Sequence, residues 1–159
     1  MKSENYRRAL ERAMDLCSRS EKCKHDIIIK LKAWKLTDEE ENDTIIQELE
    51  DDKFIDEKRY ASAFTRDKIR FNKWGRIKIR AMLRSRGISD HDIQHGLGAI
   101  DHDEYLRMIE EAIKEKLRSV KAGNEYELRG RLSRFASSRG YEQEYVYEII
   151  NRLRSPGGT

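Results

Sequence analysis

Apolar residues recur along this chain at the three- and four-residue intervals of a helix face. Leu10, Ala13, Met14 and Cys17 form the first stripe, then Ile27, Ile28 and Leu31, then Ile45, Ile46 and Leu49. A second triplet follows: Tyr60, Ala61, Phe64 and Phe71; Ile79, Met82 and Leu83; Ile93, Leu97 and Ile100. The third is Leu106, Ile109, Ala112, Ile113 and Leu117; Leu128, Leu132 and Phe135; Val146, Ile149, Ile150 and Leu153. The spacing predicts nine helices in three groups of three. Glu, Lys, Arg, Leu and Ala dominate, and these favour helix. The single Pro stands at position 156, there are two Val, and no Asn-Gly or Asp-Gly hairpin pair occurs. The predicted class is all-α.

The groups repeat. Leu31, Leu83 and Leu132 align at offsets of 52 and 49 residues. A turn follows each, then Leu36, Ile88 and Tyr141; nine residues further on stand Ile45, Leu97 and Ile150. Gly87 and Gly140 suit left-handed helix C-caps. Ser89 with Asp92, and Thr37 with Glu40, have the spacing of N-terminal capping boxes. The third copy has four extra residues between Leu132 and Tyr141, which predicts a second helix one turn longer. A period near 50 residues, present three times, indicates an elongated tandem array of three-helix repeats. The expected boundaries are 1–56, 57–102 and 103–154, with a flexible tail at 155–159.

Composition sharpens this. Of the 159 residues, 40% are charged and 37% hydrophobic, against a usual ~25% charged. The core must be thin and spread over several small units. No apolar run reaches the ~18 residues of a membrane span. The segment Met1–Tyr6 has no signal-peptide stretch, so a cytoplasmic protein is expected. Two cysteines in such a chain exclude a disulfide scaffold.

The net charge of +3 conceals strong banding. Residues 36–57 hold 11 acidic groups and one basic; residues 58–86 hold 11 basic and one acidic. Residues 114–139 hold eight basic and three acidic. Such bands are either solvated faces paired with their neighbours or binding surfaces for polyphosphate or acidic protein. Arg76, Arg80 and Arg84 recur every four residues and form one stripe beside the apolar Ile79, Met82 and Leu83. Arg59, Arg66 and Arg70 share a face of the preceding helix, which Lys73 closes. Arg129, Arg131 and Arg134, with Lys114, Lys116, Arg118 and Lys121 before them, make a second patch. Guanidinium forks bind both phosphate and carboxylate.

Residues 49–88 carry a more specific pattern. Leu49, Phe54, Ile55, Asp56, Tyr60 and Ala61 fit a segment L-x-x-x-G-[YF]-[IL]-D-D-x-x-[YF]-A. Gly75, Ile79, Leu83, Arg86, Gly87 and Ile88 fit a following G-x-x-x-I-x-x-x-L-x-x-[KR]-G-I. This resembles the RecX family, bacterial regulators of the RecA recombinase, and the resemblance extends over residues 9–153. Lys53 departs from the pattern where Gly is usual, Glu57 where a second Asp is usual, and Arg76 where Pro is common. The resemblance implies tandem three-helix repeats without catalysis. It implies binding along the RecA–DNA filament with control, most often inhibition, of ATP hydrolysis, strand exchange and the SOS response. On that basis Arg59, Arg66, Arg70, Lys73, Arg76, Arg80, Arg84, Arg86, Arg129, Arg131 and Arg134 are candidate contacts to RecA or DNA. Phe54, Ile55, Asp56, Tyr60, Ala61, Gly75, Ile79, Leu83, Gly87 and Ile88 are the structural motif. A general, sequence-independent DNA-binding protein is the alternative reading of the same patches.

Other constellations are weaker. The acidic run from Asp38 to Asp52 flanks one helix and does not converge like a nuclease metal site; pairing with the basic second repeat is its better use. Cys17 and Cys23 have no second ligand pair for zinc. His91, His95 and His102 read as surface. Trp74 and Trp34 sit near helix ends, where a Trp more often caps a core than stacks on a ligand. No P-loop or nucleophile motif occurs. The expectation is no enzyme, no metal, no cofactor, and a monomer.

Overall fold

The computed structural model describes residues 2–155; Pro156–Thr159 of the expected tail lie outside the described residues. Among the described residues there are nine α-helices and no strands. The chain divides into two compact units, Met1–Phe64 with Leu83–Gly96, and Thr65–Met82 with Leu97–Thr159. The division falls inside the fourth, fifth and sixth helices.

In the first unit α1 (Glu4–Arg19), α2 (Lys24–Trp34) and α3 (Glu39–Asp51) pack as a three-helix group. Its core is Tyr6, Ala9, Ala13, Ile27, Leu31, Ile45, Leu49 and Ile55. Ser3 caps α1 by accepting the Tyr6 N–H at 3.1 Å. The box expected at Thr37 and Glu40 forms one residue later. Asp38 accepts the Glu41 N–H at 2.8 Å and Glu41 accepts the Asp38 N–H at 3.1 Å. Asp38 brings a full negative charge to the positive end of the helix, which a threonine hydroxyl does not. Thr37 instead donates to the buried Asn42. The unit is completed by α4 (Glu57–Asp67) up to Phe64, the end of α5 (Arg76–Ser85) and α6 (Asp90–Gly98) up to Gly96. Ser89 caps α6 through the Asp92 N–H at 3.2 Å.

Gly87 and Gly140 take positive φ, 74° and 87°, as expected of C-caps. Lys35 holds the same place in the first repeat and adopts φ 57° despite its side chain. Lys53, where the motif favours Gly, does likewise at φ 65°. A Cβ in this region is strained. Lys35→Gly is therefore expected to raise stability by about 0.5–1 kcal/mol, net of the added freedom of the unfolded chain, read as a higher denaturant midpoint at unchanged slope.

The second unit is built on α7 (His102–Ser119), α8 (Glu125–Arg139) and α9 (Gln143–Arg154), which pack on one another. Tyr105, Ile109, Ile113, Leu132, Ala136, Tyr141 and Val146 fill its core. At 15 residues, α8 is one turn longer than the 11-residue α2, as the insertion predicts.

Candidate functional site

The basic residues separate into those the fold uses and those it leaves outside. Gly75 and Gly140 approach so closely in the second unit that a Cβ on Gly75 would lie 2.2 Å from the Gly140 carbonyl oxygen. The N–H groups of Gly75 and Ile77 donate to the carbonyls of Arg139 and Gly140 at 2.6 and 3.1 Å. The unsatisfied carbonyls that end α8 thus meet the unsatisfied N–H groups that begin α5. Tyr105 completes the seam by accepting the Arg76 N–H at 2.9 Å while donating to Glu142. Burial and the Glu142 carboxylate push the Tyr105 phenol far above its ordinary pKa. Tyr141, buried and donating to the Lys73 carbonyl at 2.6 Å, is pushed up to about 12 by burial.

Arg76 belongs to this seam. Its guanidinium pairs with Glu142 at 3.2 Å and lies 4.1 Å from the centre of the Tyr105 ring, with its side chain 19% exposed. Arg76→Ala is expected to cost about 2 kcal/mol of stability, since a half-buried charge-assisted bond is lost and Glu142 loses its cationic partner. Arg80→Ala should leave the unfolding midpoint in place. In the first unit Arg86 donates to Tyr60 and stacks on Phe64 at 5.1 Å. Arg59 grips Glu21 at 2.7 Å and the Lys53 carbonyl at 3.0 Å. Arg84 pairs with Asp90 at 3.2 Å while staying exposed. The repeating arginines of α5 therefore do not act as one stripe.

Around the end of α4 the outcome differs. Its last turn widens to an i→i+5 π-turn over Lys68–Asn72, closed by Lys73 at φ 57°. Two α-turns after Phe64, Phe71 was expected on the core face. The wider turn rotates it outward, and it is 71% exposed. Arg70 holds its guanidinium 5.4 Å from the Phe71 ring. Arg66, Arg70 and Lys73 are all exposed. Trp74 is half-buried between the ammonium groups of Lys68 and Lys78, 4.8 and 4.5 Å from its ring centre. An exposed phenyl ring with a guanidinium beside it, on a turn that carries further exposed cations, suits a partner that offers both negative charge and an apolar surface. The periodicity placed Phe71 inside, and only the local widening of the helix reveals it.

The remaining candidates are dispersed. On α8, Arg129 bonds Asn151 at 2.6 Å, Arg131 pairs with Glu127 at 2.8 Å, and Arg134 is exposed. The acidic band finds its cations within the first repeat: Glu48 pairs with Lys2 and Glu50 with Lys24. The expected pairing with the basic second repeat is made at Arg59, which lies 2.7 Å from Glu21 and 4.0 Å from Asp56. Among the described residues no three His, Cys, Asp or Glu side chains converge on a metal-sized site. Burial pushes the Cys23 thiol up to about 11. No helix among the described residues is long and apolar enough to cross a membrane.

Residues 56–97 match the second three-helix domain of RecX. The regulatory protein RecX of Clostridium acetobutylicum is 25% identical over 159 residues, spanning 98% of this chain and 73% of that protein. The chain is similar to RecX proteins along nearly its whole length. The fold agrees with two solved RecX structures. One crystal structure of regulatory protein RecX superposes with a TM-score of 0.84 at 23% identity, covering 93% of this chain and 74% of that one. RecX from Lactobacillus salivarius gives 0.80 at 17%, covering 94% and 97%. In RecX terms, the motif residues Ile55, Tyr60, Ala61, Gly75, Ile79, Leu83 and Ile88 are buried here, and Phe54 packs against the core. Asp56 accepts the Arg59 N–H at 3.1 Å, as a helix-capping residue does. The motif is thus a folding signature, and the exposed cations lie beside it.

Proposed function

We propose that this protein is a non-enzymatic regulator that binds the RecA–DNA filament and lowers its ATP hydrolysis and strand exchange. The observation that carries the reading is the exposed Phe71, with Arg70 beside it and Arg66 and Lys73 exposed nearby in the chain, in a protein similar to RecX proteins. A filament presents phosphates and acidic side chains, and the cations meet either. Inhibition follows if the protein binds one conformational state of the filament more tightly than the other. The test is DNA-dependent ATP hydrolysis by the host's RecA, titrated with this protein at moderate salt. A strong drop far below one molecule per protomer is expected. No drop until the DNA is coated would replace this reading with that of a general DNA-binding protein.

A further inference from the structure

A second surface lies apart from Phe71. The faces of α8 and α9 enclose a groove of about 730 Å³. Tyr126 and Tyr147 stand on it, 90% and 69% exposed. Rings so bare of protein contact contribute little to the core. Arg129 and Arg134 line the same groove, with Gly130 between them and Gln143 opposite. A glycine in a helix interior weakens the helix. Here it leaves the groove floor low, and a Cβ would come within 3.4 Å of the Arg134 guanidinium.

The charge balance is cationic. Arg154 grips Glu125 with two bonds, at 2.8 and 3.0 Å, and holds its carboxyl below the usual carboxylate range. The Gly123 N–H and Arg131 do the same for Glu127. Arg134 forms no ion pair among the described residues. Exposed ring faces, an amide and an exposed guanidinium outside any close ion pair match a nucleobase and its phosphate. A docked amphipathic helix needs aliphatic anchors, and the aliphatic residue on this groove, Ile150, is buried.

We infer that the α8–α9 groove is a subsite for unpaired nucleic acid, in which Tyr126 and Tyr147 stack on bases while Arg134 holds the backbone. It rests on the DNA-contact part of the function proposed above. The probe is a fluorescent oligothymidylate, with a duplex of equal length beside it and no RecA present. Tyr126→Ala and Tyr147→Ala should each weaken oligothymidylate binding about tenfold and leave duplex binding unchanged. Their slope of log affinity against log salt should match the parent. Arg134→Ala should make that slope shallower by about 0.7, one phosphate contact. Both tyrosines are exposed, so far-ultraviolet circular dichroism should show an unaltered fold. A double tyrosine variant that binds oligothymidylate like the parent overturns the inference. So does equal loss on the duplex, or a parent that does not bind oligothymidylate. The RecA titration of the parent reports on regulation alone, so the two readings fail separately.

Discussion

Gly75→Ala is expected to cost about 3 kcal/mol, a large share of the stability of a domain this size. The new methyl would sit 2.2 Å from the Gly140 oxygen and 2.7 Å from the Tyr141 ring. Neither neighbour yields cheaply. The Gly140 carbonyl accepts the Ile77 N–H, and Tyr141 is 1% exposed with its hydroxyl on Lys73. Pushing the backbones apart breaks the bonds by which α8 caps α5. Buried N–H groups left without partners cost about 1–3 kcal/mol each. Gly98 is the control, because a Cβ there meets nothing within 4 Å. Urea unfolding followed by circular dichroism should show a lower midpoint for Gly75→Ala and none for Gly98→Ala. Equal midpoints would mean that the seam is soft.

The second large effect concerns function. Reversing Arg66 and Arg70 to Glu should raise the concentration needed for half-maximal loss of RecA ATP hydrolysis about 100-fold. Each reversal removes an attraction and adds a repulsion, and about 1.4 kcal/mol per site is tenfold. Both residues are exposed, so the unfolding midpoint should stay where it is. That separates the pair from Arg76, whose loss weakens the fold. Phe71→Ala should weaken inhibition further without altering its salt dependence, since an aromatic anchor carries no counterions. An Arg66→Glu, Arg70→Glu variant that inhibits like the parent would remove this surface from the filament contact.

The one misplaced core residue teaches how far periodicity reaches. Spacing alone places the helices, because a 3.6-residue repeat is a local property of the chain. It assumes a constant pitch, and Phe71 lies where the pitch changes. The capping box slipped by one residue for a related reason. Thr37 and Asp38 are adjacent competitors, and the stronger acceptor took the position.

The arginines show the complementary limit. Arg76 and Arg80 look alike in the sequence. One is paired and stacked in the seam, and the other is half-buried with no ion pair among the described residues. Their difference depends on Tyr105 and Glu142, which lie 29 and 66 residues away from Arg76. The sequence by itself determined the all-α class, the three-helix repeat, the left-handed glycine caps and the family motif. All of these rest on local periodicity, backbone chirality or residue order. Only the tertiary structure decided which cations are absorbed by carboxylates and rings and which face solvent. A side chain's charge is written in the chain, but its partner is chosen by contacts between segments far apart along it.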